Sequence, residues 1–372
     1  MKNIVLIVVD TLRPDRLGSG GCPRPTSPHL DRLAARGVVC DAMWSASNFT
    51  APAFTSLFTG LYPHEHGVFD FTAKVGGSAV FDAVRGAGLQ TGAVTTFRFF
   101  TSLLRHIWGE PEVVTQGRSA NYAKDLPMAV TAGGLEWIDR RDQARPFALF
   151  LHYDGPHMPY RLPDEYASMF ASPAAAGVAP DLVATLFPQE AETLDRRTGQ
   201  SIHKLIESVE WGRRRLTAAD RAWLLDKYDA SVRYNDEAVG RLLAGLDERG
   251  LLADTVIGVL SDHGEAFCEH GGFTHGGIQL YEEVIRTAGI VVAPGLAGVA
   301  GHRVAAPTSH VDVWPTLLHL AGMSGLGEGL VPLLEGRAAP DAPVFCEGKA
   351  KIAARRGGLK FIRPQPNPGL HG

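Results

Sequence analysis

The chain opens on an unbroken apolar run, Ile4 to Val9, that stops at a carboxylate, Asp10. A β-branched run of that kind predicts a core strand buried on both faces. The same form recurs far along the chain, where Thr255 to Leu260 leads into Ser261-Asp262-His263-Gly264-Glu265. A third apolar run, Phe147 to Leu151, leads into His152-Tyr153-Asp154-Gly155-Pro156-His157, and weaker strand patterns cover residues 90–96 and 289–294. Helical stretches alternate with these runs. Ser27 is expected to cap a helix with Pro28 at its first position, and residues 79–88 and 219–250 carry helical spacing. Strand, helix, strand in alternation predicts an α/β chain with a mostly parallel sheet. In such sheets the chemistry sits at the carboxyl ends of the strands, so two of these ends side by side would place Asp10, Asp262 and His263 around one cation.

A further segment, Asn48 to Gly67, reads as a hydroxyl residue, a proline that starts a short helix, and a Gly/Pro stop. Thr50 is thereby expected at a helix N-terminus, where backbone N–H groups favour an anion. A plain helix cap is the alternative role for its hydroxyl.

Taken in order, these segments resemble the sulfatase-like branch of the alkaline phosphatase superfamily. Pro25 to Ala34 is similar to the family's first helix, and His152 to Tyr160 to its substrate-side loop. Tyr228 to Leu243 looks like the helix before the second metal strand, and Val311 to Leu318 like the late helix. The resemblance implies an alkaline-phosphatase-like three-layer sandwich. Its catalytic domain would cover residues 1–335, with a helical insertion at 163–216 over the site, and a small C-terminal sub-domain would cover 336–372. Within the latter, residues 343–347 and 359–363 look like two strands, and a loose tail follows Pro364.

Departures from the family pattern bear on the chemistry. Formylglycine sulfatases carry Cys or Ser, then x-Pro-x-Arg; here Thr50 stands at the first position, Pro52 is kept, and Phe54 replaces the Arg. Thr cannot become formylglycine. Asp10-Thr11 replaces two consecutive acidic residues, and His275 stands where a Lys follows the second metal motif. Each change is similar to the Thr-dependent members, such as phosphoethanolamine transferases, lipoteichoic acid synthases and nucleotide phosphodiesterases. A threonine alkoxide can attack phosphorus and be freed by water, whereas a sulfo-threonine lacks the collapse to a carbonyl that frees sulfate from an aldehyde hydrate.

The expected activity is therefore metal-dependent hydrolysis, or transfer, of phosphate mono- or diesters through Thr50. A sulfuric ester hydrolase acting without formylglycine is one alternative, and a non-catalytic metal- or ligand-binding homologue is another, argued by the missing Arg at Phe54. Asp10, Thr50, Asp262 and His263 are the expected ligands of one divalent metal, with Zn²⁺ or Mn²⁺ suiting them better than Ca²⁺. Asp154, His157 and His275 could take a second metal. His157 and His275 are also expected to act in catalysis, and with His64, His66 and Arg13 to hold the substrate's oxygens.

Composition narrows the partners. A chain of 372 residues, 45% hydrophobic and 20% charged, can bury a large core, and a net charge of −4 offers no basic field for nucleic acid. Small-molecule phosphate or sulfate esters are the expected partners, and a homo-oligomer could complete an open pocket. The first core strand follows Met1-Lys2-Asn3 directly, without a signal-peptide pattern or membrane anchor, which suggests a cytoplasmic chain. The four cysteines, Cys22, Cys40, Cys268 and Cys346, show no CxxC spacing and are expected to be reduced thiols.

Overall fold

The computed structural model describes residues 1–72, 78–95, 112–114, 126–187, 196–337 and 342–365. At its centre lies an eight-stranded sheet. From edge to edge its strands are Arg303–Val304, Val38–Cys40, Gly289–Val292, Thr255–Leu260, Asn3–Val9, Phe147–Tyr153, Gln90–Val94 and Glu112–Val114. Asn3–Val9 is parallel to both its neighbours, with Val8 opposite Leu260 on one side and His152 on the other. The sheet is thus mostly parallel, as expected, with one reversal: Gly289–Val292 runs antiparallel to both strands beside it.

Side-chain alternation along the first strand explains the three layers. Ile4, Leu6 and Val8 pack into one core with Phe54, Phe58, Trp314 and Leu317, while Val5, Ile7 and Val9 pack into the other with Leu30, Leu33, Trp137 and Leu242. All six strand residues are buried. Burying an aliphatic side chain contributes about 1.5–3 kcal/mol, so a strand apolar on both faces is stable only with helices on each side.

Several local expectations shift. Ser27 precedes the helix Pro28–Arg36, but its hydroxyl makes no cap bond; it bonds Asp31 and accepts from the Gly18 N–H instead. The helix expected at 219–250 spans Ala218–Glu248 and is capped by Thr217, whose hydroxyl accepts from the Asp220 N–H. In the 163–216 region the chain forms the helices Asp164–Ala167, Pro180–Leu186 and Arg196–Glu210. The C-terminal sheet has three strands, Val344–Glu347, Lys351–Arg356 and Leu359–Pro364; the outer two overlap the strands expected, and the middle one was not read from the sequence. The end of the strand predicted at 90–96 and the tail from residue 366 lie outside the described residues. All four cysteines are free thiols. Among the described residues, no helix is long and apolar enough to cross a membrane.

Candidate active site

Three elements deliver the site. The strand Asn3–Val9 ends at Asp10, whose N–H continues the sheet by donating to the Tyr153 carbonyl at 2.9 Å. Thr11 then adopts a left-handed backbone, φ 57°, uncommon for a β-branched residue. That turn directs the Thr11 N–H to Asp262 Oδ1 at 3.1 Å, tying the ends of two adjacent strands together. Behind it, Tyr228 of the long helix donates to the Thr11 carbonyl and accepts from the Arg13 N–H, at 2.6 and 2.8 Å.

Asp10, Asp262 and His263 converge: one ligand atom from each lies within 4.8 Å of the others, and all three residues are buried. Asp10 Oδ1 and Asp262 Oδ2 have no hydrogen-bond partner. Burial, then the neighbouring Asp262 carboxylate, push Asp10 well above the ordinary carboxylate range. Burial pushes Asp262 in the same direction, but His263 and the Thr11 N–H outweigh it and hold this carboxyl below its usual value. Burial drives His263 down to about 4, so its ring is neutral at neutral pH. Its Nδ1–H donates to the Gly264 carbonyl at 3.0 Å, which leaves the Nε2 lone pair facing the carboxylates.

Thr50 comes from a separate element. It is the first residue of the helix Thr50–Thr59, after Phe49 at the cap position, so its hydroxyl is no helix cap. Instead Oγ1 stands 3.1 Å from His263 Nε2. The first bond of the helical ladder runs from the Ala53 N–H to the Phe49 carbonyl, which places the Thr50 and Ala51 N–H groups ahead of the ladder. Phe54 turns into the core, edge-on to Phe150 and to His152.

His275 and His157 lie beside this group. The rings of His263 and His275 are 4.3 Å apart, and those of His157 and His275 are 4.9 Å apart. His275 Nδ1 pairs with Glu265 Oε1 at 3.1 Å. Burial opposes its protonation, but Glu265, Asp262 and Glu210 prevail and raise it above the ordinary histidine value. Two adjacent imidazoles are thus set apart, His263 neutral and His275 biased to the cation. His157 Nδ1 is held by the Met158 carbonyl. Among the described residues, Asp154, His157 and His275 do not form a second set drawn as close as the first.

Three residues expected to contact the substrate also make contacts within the protein. Arg13 is spent on Asp15, Glu269 and the Glu265 carbonyl, with its side chain buried. His66 has both ring nitrogens engaged, by Ser56 Oγ at 2.9 Å and the Val68 N–H at 3.0 Å. His64 pairs through Nδ1 with Glu347, 283 residues away. These groups fasten loops to the site's surroundings.

Three residues were not assigned roles from the sequence. His152 Nε2 reaches Asp10 Oδ2 at 3.3 Å and orients it; its place, one residue before the end of a core strand, was the available signal. Glu265 follows the metal motif directly. His310, buried and bonded to Thr287 at 3.1 Å, feels the charges of Asp262 and His263, and no motif singled it out.

Gly264 explains the turn between His263 and Glu265. A Cβ there would come within 2.2 Å of the Glu283 carbonyl oxygen, while the Gly264 N–H donates to Val284 O at 2.6 Å. Gly264→Ala should therefore displace the loop, lowering stability by about 1–3 kcal/mol and cutting turnover with it. Thermal melts and kcat/KM unchanged from the wild type would show that the loop is not so constrained.

Residues 2–323 match the Sulfatase family. Human iduronate 2-sulfatase is 27% identical over 310 residues, which cover 72% of this chain and 56% of that protein. The chain therefore spans little more than half the length of that relative. The choline-sulfatase of Rhizobium meliloti is 24% identical over 413 residues, covering 97% of this chain and 78% of its own. Among solved structures, the phosphonate monoester hydrolase of Agrobacterium radiobacter superposes with a TM-score of 0.71 at 18% identity, covering 98% of this chain and 89% of that one. At that identity the likeness is one of fold.

Proposed function

The chain belongs to the sulfatase family, and from that premise we propose that it is a metal-dependent hydrolase of phosphate mono- or diesters with Thr50 as nucleophile. The convergence of Asp10, Asp262 and His263, with two orphaned carboxylate oxygens and Thr50 Oγ1 on the His263 ring, is the observation that carries this reading. Orphaned buried acceptors fit a cation, and two carboxylates, a neutral imidazole and a hydroxyl suit Zn²⁺ or Mn²⁺. When bound, such an ion lowers the pKa of a hydroxyl and neutralises developing negative charge.

The chain's own residues have separable tasks. Thr50 Oγ1, whose proton would pass to solvent once a bound ion lowers its pKa, attacks phosphorus, forming a P–Oγ bond as the bond from phosphorus to the leaving oxygen breaks. His275, biased to its protonated form, gives a proton to that oxygen and releases the alcohol. The Thr50 and Ala51 N–H groups at the helix start, with His157, hold the transferred group's remaining oxygens. Water then attacks phosphorus and gives a proton back to His275, the P–Oγ bond breaks, and Thr50 takes up a proton from solvent. His152 keeps Asp10 oriented throughout.

A sulfuric ester substrate is the second reading, favoured by the names of the relatives, iduronate 2-sulfatase and choline-sulfatase. Against it stands Thr50, which lacks the carbonyl collapse that frees sulfate. A panel of matched aryl phosphate, phosphodiester, phosphonate and sulfate esters, assayed with Zn²⁺ and Mn²⁺, separates the two. We expect the phosphorus esters to be turned over at least about tenfold faster. Good turnover of aryl sulfate with poor turnover of the phosphorus esters would give the site to sulfate.

A further inference from the structure

We infer that Glu210, the last residue of the helix Arg196–Glu210, is a specificity-determining residue that selects esters whose leaving group carries an ammonium. The inference rests on the ester-hydrolysis reading above and adds the chemical class of the leaving group.

The helix is docked by an apolar stripe. Leu205 and Val209 are buried in the same core as Phe267 and Phe273, with Ile202 and Ile206 packed against it. This spacing is one helical face, so the residue after Val209 has a fixed position relative to the loop beyond Phe273. Glu210 Oε1 lies against Gly277: a Cβ on that glycine would come within 2.6 Å of it. Gly277 is two residues from His275, and Gly276 between them donates its N–H to the Asn48 carbonyl at 2.8 Å. Asn48 in turn donates its side-chain amide to the Gly277 carbonyl at 2.8 Å. One short loop thus joins the Glu210 carboxylate, the His275 imidazole and the residues just before Thr50.

Charge completes the case. The negative charge of Glu210 is felt at His275. Among the described residues no arginine or lysine forms an ion pair with Glu210. With His275 donating to the leaving oxygen, the rest of the leaving group lies on the His275 side of the transferred group. There, among the described residues, Glu210 presents a carboxylate that pairs with no arginine or lysine and faces only the His275 and His203 imidazoles, the first of which gives up its proton to the leaving oxygen, so that it attracts an ammonium and repels a second anionic group.

The test uses metal-loaded enzyme and two isosteric esters, para-trimethylammoniophenyl phosphate and para-tert-butylphenyl phosphate. Their intrinsic reactivities differ, so the readout is the change in their kcat/KM ratio between wild type and variant. Glu210→Gln should lower that ratio about tenfold, mostly through KM, because the contact is present in the bound ground state as well as in the transition state. Glu210→Lys should lower it further. Equal losses on both esters would mean that Glu210 serves His275 alone and would overturn the inference, as would an unchanged ratio. Should both phosphates prove inert while the corresponding sulfates react, the phosphoryl reading fails and the same ratio, read on the sulfate pair, decides the role of Glu210. Inactivity on both pairs would overturn this inference together with ester hydrolysis.

Discussion

Thr50→Ala should lower kcat/KM by about 10³-fold or more while leaving the protein folded, because the variant loses the only atom with which the helix start can attack phosphorus. The structural cost is small. Thr50 is the first residue of the helix and not its cap, so alanine keeps helical propensity and the variant loses the single contact to His263, worth about 1 kcal/mol. Asp10, Asp262 and His263 remain, so divalent metal should still raise the melting temperature of the variant. Thr50→Ser restores an oxygen at the same place and should recover activity to within about tenfold of wild type. Rapid quench followed by intact-mass measurement should show one added phosphoryl group on wild type and none on the alanine variant. Turnover by Thr50→Ala at the wild-type rate would mean that water attacks directly, and the nucleophile assignment would be lost.

The site's heart was legible because each of its parts interrupts a strong pattern. Asp10 and Asp262 end apolar runs, and parallel pairing of those runs brings the ends together whatever the intervening chain does. The Thr50 helix was legible from Pro52 and the Gly60 stop for the same local reason. What escaped depends on partners remote in sequence. Only the folded chain shows that Arg13, His64 and His66 bond Glu269, Glu347 and Ser56. The reversed direction of Gly289–Val292 was equally hidden, since a strand buried on both faces reads alike either way. Lys351–Arg356, with charges at both ends and two alanines between, offers too little alternation to mark a strand, and cross-strand pairing on both sides makes it one. The apolar spacing of Ile202, Leu205, Ile206 and Val209 marks a helix but not what it packs on, so the approach of Glu210 to the His275 loop could come only from the packing of that helix.

Asp10→Asn should abolish turnover and yet stabilise the metal-free protein. Two buried carboxylates face one another there, each with an oxygen that finds no donor, so the ionised pair costs stability until a cation joins it. An amide at position 10 removes one charge and keeps the shape, which should raise the metal-free melting temperature by about 2–5 °C. The pH dependence carries the same sign. Asp10 is raised above its unfolded value of 3.8, so as pH climbs past that value the unfolded chain releases this proton before the folded chain does. Metal-free wild type should thus lose stability as pH rises from the unfolded value through the raised folded one, and the asparagine variant should lack that component. Added Zn²⁺ or Mn²⁺ reverses the order: saturating metal stabilises wild type by about 4 kcal/mol at a thousandfold excess over Kd, while the variant, short of one anionic ligand, gains far less. Melts of both proteins in chelator and in metal, across pH, check each part. If the variant melts below wild type in chelator and gains as much from metal, Asp10 is not a ligand and the two carboxylates are held apart by something other than an absent cation.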